Sequence, residues 1–168
     1  LSVVGPTRFM TGDLAGAARR LEQALTLATA FEDQSWLAEL PGPLLAEVCY
    51  ERDDLERSRD LLARHFPSSA RGFVDQYVAG YLTDARLTAL RGDAAAADDL
   101  LVKGLAVAEQ RNLDRLRQNL ITERIRLLLH FGRRDEALRI GQEEALLAAP
   151  DSVKPRAELT SRDEARAF

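Results

Sequence analysis

Apolar residues recur along this chain at steps of three and four, so the pattern predicts helices almost throughout. Four stretches, residues 9–24, 50–65, 89–104 and 129–144, align with one another. Each holds one turn position, Gly12, Asp53, Gly92 or Gly132, and these stand 41, 39 and 40 residues apart. Behind each turn the same stripe returns: Leu14, Ala17, Leu21 and Ala24, then Leu55, Ser58 and Leu62, then Ala94, Ala97 and Leu101. The last copy keeps Ala137 but carries Arg134 and Gly141 at the flanking places. A small residue at the centre of a stripe lets a neighbouring helix approach closely enough to exclude water. Glycine at the turn supplies the left-handed backbone that ends one helix. Asp13, Asp54 or Asp93 then places a carboxylate at the start of the next.

A partner helix precedes each turn. Phe73, Tyr77, Tyr81, Ala85 and Thr88 form its stripe in the third copy. Leu113, Leu116, Leu120, Ile121, Ile125 and Leu128 do so in the fourth. In the second copy Pro41, Gly42 and Pro43 interrupt the run, and a shorter helix is expected from about Pro43 to Arg52, since proline is tolerated in a first turn. Pro67, Asn112 and Pro150 punctuate the ends of the second helices. The expectation is one all-α domain of about four helical hairpins, at roughly 1–33, 35–67, 71–111 and 112–149. Residues 150–168 read as a polar exit or as the start of a further helix, with Ser161 and Glu164 in a capping-box arrangement.

Composition agrees with this picture and narrows it. With 46% hydrophobic and 30% charged residues, and only 10 glycines and 6 prolines in 168, the chain has the make-up of a soluble, foldable, helix-rich protein. A net charge of −4 leaves no broad basic face for capturing nucleic acid. One cysteine, Cys49, excludes an internal disulfide framework and fits a reducing, cytoplasmic setting. No apolar run approaches the ~20 residues a membrane span needs. The chain opens on Leu1 with no charged n-region, as expected of a piece of something longer.

Gly12-Asp13-Leu14 with Ala17, Leu21 and Ala24 resembles the second half of a tetratricopeptide repeat. The spacing near 40 is longer than the ~34 of that repeat. Together with the segments at 79–93 and 126–137, it resembles the helical sensor region of LuxR-family transcriptional regulators of the MalT type. The resemblance covers residues 9–147 and implies an α-α superhelix, a tetratricopeptide-like solenoid. It also implies a place between an ATP-binding switch module and a DNA-binding helix-turn-helix, where a small-molecule inducer or a regulatory protein is received. Neither neighbour lies within the chain: no G-x-x-x-x-G-K-[ST] loop occurs, so DNA would be contacted only through a domain absent here. A tetratricopeptide-like scaffold for protein–protein interaction, unrelated to transcription, is the alternative. Repeat residues specify packing rather than chemistry.

Candidate catalysts are sparse, and no enzyme is expected. His65 and His130 fall in different repeats, and no His, Cys and carboxylate set has metal-ligand spacing, so neither metal nor cofactor is expected. Cys49 lies on an apolar stripe with nothing beside it in sequence to activate a thiol. The remaining candidates lie on the first helices, which line the concave surface in tetratricopeptide-like stacks. Glu47, Arg86 and Arg126 each stand six residues before a turn, and Tyr50 stands three before. Tyr81, Asn119 and Glu123 are close by in sequence. Such a row could hold an anionic or hydroxyl-rich ligand, or its charges could bridge neighbouring repeats. Apolar flanks around residues 14–31 and 138–147 make self-association a further expectation.

Overall fold

The computed structural model describes residues 9–30, 37–67 and 73–147, with side chains as far as residue 144. Phe9 and Met10 are helical, and seven α-helices follow among the described residues. They are α1 (Leu14–Thr29), α2 (Pro41–Glu51), α3 (Leu55–His65), α4 (Val74–Ala89), α5 (Ala94–Gln110), α6 (Asp114–His130) and α7 (Arg134–Leu147). Among the described residues there is no strand, and the fold is all-α. The expected exit at 150–168, with its cap at Ser161 and Glu164, lies outside the described residues, as do residue 31 of the first flank and the break at Pro150.

The turns are built as their sequence requires. Gly12, Gly92 and Gly132 have φ of 81°, 81° and 75°, and Asp53 takes the same left-handed conformation at 63° without being glycine. In each turn the residue at this position donates its N–H to the carbonyl three back, as Gly92 does to Ala89 at 2.9 Å. The next helix then starts on a carboxylate: Asp13 accepts from the Gly16 N–H at 2.8 Å, and Asp93 from the Ala96 N–H at 3.0 Å. Each satisfies one of the amide donors a helix start leaves unpaired. Asp54, placed alike, makes no side-chain cap bond. Asn112, with φ of 53°, makes the corresponding left-handed turn from α5 into α6. Helix α2 starts at Pro41, two residues earlier than expected, because both prolines fit its first turn, where the missing N–H has no intrahelical partner to lose.

Packing divides the helices into two layers. First helices α2, α4 and α6 touch one another in succession, whereas α3, α5 and α7 each pack on the first helix of their own hairpin. Helices α1 and α5 also pack against the first helix that follows. This is a stack of helical hairpins, the arrangement of an α-α superhelix. The small residues at the stripe centres, Ala17, Ser58, Ala97 and Ala137, are all buried. Ser58 satisfies its hydroxyl across the hairpin by donating to the Ala46 carbonyl at 2.7 Å. Gly104 on α5 admits an equally close approach, since a Cβ there would stand 2.9 Å from Leu120 Cδ1 and 3.0 Å from Tyr81 Cδ1. Phe73 departs from the stripe predicted for it. It is the N-cap of α4, 68% exposed, and its N–H donates to the Gln76 side chain at 2.7 Å.

Candidate functional site

The layer of first helices carries a cluster of charge. Arg86 on α4 faces Glu123 on α6 in a bidentate pair, Nε to Oε1 and Nη2 to Oε2, both at 2.9 Å. Both side chains are buried. The remaining face of the guanidinium turns toward α2, where Glu51 Oε1 stands 4.0 Å from Nη1 and the Glu47 charge also acts on it. Arg126, one turn beyond Glu123 on α6, donates to both oxygens of the same carboxylate, with Nε at 3.1 Å from Oε2. Its own side chain is 57% exposed. Three successive first helices are thus joined through one arginine and one glutamate.

Protonation follows from these contacts. Burial pushes Glu123 upward, but hydrogen bonds from Arg86 and Arg126, with their charges, outweigh it and hold the carboxyl below the usual range. Burial acts against the Arg86 cation as well, yet bonding to Glu123 and the field of Glu123 and Glu47 raise its pKa. The pair is therefore ionised at neutral pH. A buried, doubly bonded ion pair recovers through hydrogen bonds most of what its desolvation costs, and its geometry resists sliding of one helix along the other.

The seven residues expected on this wall divide accordingly. Glu47, Arg86, Glu123 and Arg126 come together, and Tyr50 is half-buried beside them on α2, near enough for its phenol to act on Arg86. Asn119 lies on α6 but turns back on its own helix, donating to the Arg115 carbonyl at 2.8 Å. Tyr81 leaves the wall altogether. Its ring packs edge-on against Phe66, with centroids 5.0 Å apart, inside the core of the α4–α5 hairpin. The reason is the helical period: Tyr81 lies four residues from both Tyr77 and Ala85, on the buried stripe, whereas Arg86 lies on the adjoining face. Glu51 was missed, though it follows Glu47 by four residues and so shares its face.

The accessible chemistry is that of Arg126 and Glu51 on the rim. A guanidinium that already grips a carboxylate can exchange it for a carboxylate or phosphate from outside. Elsewhere, Cys49 is buried, and burial raises its thiol pKa, which keeps it unreactive. His65 backs onto Gly42, and burial together with Arg64 lowers its pKa. Among the described residues no group of three or more His, Cys, Asp or Glu gathers as metal ligands would. Nor is any helix there long and apolar enough to cross a membrane.

No protein-family model matches the chain, and no solved structure matches it. Among curated proteins it is similar to the serine/threonine-protein kinase PknK of Mycobacterium tuberculosis, strains CDC 1551 / Oshkosh and ATCC 25618 / H37Rv, and to that of Mycobacterium bovis. Each is 37% identical over 116 residues, which is 68% of this chain and 10% of the relative. The chain therefore spans about a tenth of the length of the curated relatives it matches.

Proposed function

We propose that this chain is a signal-receiving segment of a larger cytoplasmic signalling protein, a helical-hairpin array of the kind found in LuxR-family, MalT-type regulators. In this reading it binds and relays, and catalysis and DNA binding belong to other domains. The supporting observation is that α2, α4 and α6 lean directly on one another and are tied through Arg86 and Glu123, with Arg126 exposed at the rim. A small-molecule inducer or regulatory protein presenting an anionic group to Arg126 competes with Glu123. It thereby shifts the preferred packing of α6 on α4, and a ligand with different affinities for two packings shifts their populations.

The similarity to PknK favours a second reading, in which the responding domain is a protein kinase. The sequence carries no G-x-G-x-x-G, H-R-D or D-F-G motif, so in that reading too the chain is a non-catalytic segment.

A thermal-shift screen of sugars, organic acids, phosphorylated metabolites and acidic peptides tests the binding role. The expected result is a stabilising ligand whose shift is lost in Arg126→Ala, a variant that leaves the buried pair and basal stability largely intact. Shifts retained in full by Arg126→Ala would remove this wall as the site. Arg86→Ala is unsuitable for this purpose, because it strands a buried carboxylate.

A further inference from the structure

Two successive junctions between hairpins are packed differently. Helix α6 leans chiefly on α5 of the hairpin before it, whereas α4 leans on α2 and scarcely touches α3. The internal register shows what the α3–α4 seam lacks. The residue six after one turn and the residue eight before the next stand on the two sides of each seam. At the α1–α2 seam they are Ala18 and Leu45, both buried in one core cluster. At the α5–α6 seam they are Asp98 and Arg124, joined by two hydrogen bonds, Nε to Oδ1 at 2.5 Å and Nη2 to Oδ2 at 3.0 Å. At the α3–α4 seam the same places hold Arg59 and Asp84, opposite charges in the reverse order. Among the described residues these two form no ion pair, and Arg59 Nε is buried without a hydrogen-bond partner. Burial pushes the Asp84 carboxyl upward, with the charge of Arg91 acting against that.

A wedge one helical turn from Asp84 holds α4 in its present seat. Helix α3 has 11 residues and α5 has 17, so the chain leaves α3 early and lays Phe66 and Pro67 against the middle of α4. Gly80 admits them: a Cβ there would stand 2.9 Å from Pro67 Cδ. On α6 the place of Gly80 belongs to Leu120, fully buried against α5 at Gly104. The seat of α6 thus takes a large side chain where the seat of α4 takes none. We propose that this junction is a hinge with two packings, its present one and a second in which α4 sits on α3 as α6 sits on α5 and Arg59 closes on Asp84. The second packing gives the buried guanidinium N–H an acceptor and the carboxylate a bonded cation, and it gives up the fit of Pro67 on Gly80. Packed elements with two discrete arrangements are the physical basis of switching in rigid cores. The hinge shares no residue with the wall around Arg86 and does not rest on the function proposed for it.

Spin-label distances on the 168-residue chain test the hinge, because the repeat supplies its own ruler. Ala63 on α3, Val102 on α5 and Gln142 on α7 are exposed and each stand ten residues after a turn. In a Cys49→Ala background, nitroxides on Val102→Cys and Gln142→Cys report the α5–α7 spacing, and those on Ala63→Cys and Val102→Cys the α3–α5 spacing. Gly80→Ala forces Pro67 aside while favouring the helix. It should raise about tenfold the share of 63–102 distances that match the 102–142 distance. Pro67→Ala opens the same wedge from the other side and should act alike. Adding Asp84→Asn to either should return the distribution to that of the parent. Exchanging the charges instead, Arg59→Asp with Asp84→Arg, should preserve the shift, since it restores the order of Asp98 and Arg124. Distances left unchanged by both wedge variants, with circular dichroism intact, would overturn the proposal. So would a shift that Asp84→Asn does not diminish, since Arg59 and Asp84 would then play no part in the second packing.

Discussion

Arg86 and Glu123 are 37 residues apart in the chain and meet through two parallel hydrogen bonds of 2.9 Å, buried between α4 and α6. The pair sits at the junction of three first helices, since Glu51 approaches the same guanidinium from α2 and Arg126 the same carboxylate from the rim. Its worth to the fold lies in the cost of breaking it rather than in a net gain over an apolar contact.

Removing one partner should therefore be far worse than removing both. Arg86→Ala is expected to destabilise by about 3–5 kcal/mol, because Glu123 is left buried with only Arg126 to answer it. The double variant Arg86→Leu, Glu123→Leu should cost clearly less than Arg86→Ala. Urea denaturation of the three proteins decides it, and equal losses in the single and double variants would contradict the argument.

The same carboxylate sets an acid limit. Glu123 has a lower pKa folded than unfolded, so its contribution is full above the unfolded value of about 4.3 and fades as pH falls through the folded one. The difference in Tm between the wild type and Glu123→Gln should be wide at pH 7 and narrow as pH drops below about 4. A difference constant down to pH 3 would mean that Glu123 is not held ionised by its arginines.

At the turns, the side chain rather than the charge decides. Gly92→Ala forces a Cβ into left-handed backbone and should cost about 1–2 kcal/mol, although nothing stands within 4 Å of the added carbon. Asp53 already bears that strain at φ 63°, so Asp53→Gly should be neutral or stabilise by up to about 1 kcal/mol. Thermal unfolding of the two variants gives opposite signs if the backbone is the cause.

Thr83 is fully buried, and its hydroxyl finds no hydrogen-bond partner among the described residues. Thr83→Val keeps the shape and removes the unsatisfied group, so stability should hold or rise by about 1 kcal/mol. A loss greater than about 1 kcal/mol on chemical denaturation would reveal a partner for the hydroxyl.

What could be read from the chain alone was what local physics dictates. A left-handed turn needs glycine or a tolerant substitute whatever surrounds it, so Gly12, Asp53, Gly92 and Gly132 were legible, and so was the helix that starts on Asp13 or Asp93. Spacing of three and four put Ala17, Ser58, Ala97 and Ala137 on one face, and a small residue on a stripe implies a close neighbour. The row on the first helices was legible as a row: Glu47, Arg86, Glu123 and Arg126 do come together. Which of them pair was not. That Arg86 takes Glu123 depends on the rotation of α4 and its axial offset from α6, which packing sets through side chains such as Leu116 and Leu120 and through the room left at Gly104. Tyr81 stood in sequence both on the apolar stripe and close to the row, and packing kept it with the stripe, whereas Phe73 turned to the surface because it is the N-cap of α4, ahead of the first helical turn. The open edge of α6–α7 was foreseen merely as an apolar flank. Only the stacked structure, in which α4 and α6 cover the equivalent edge of the two hairpins before it, gave it a register.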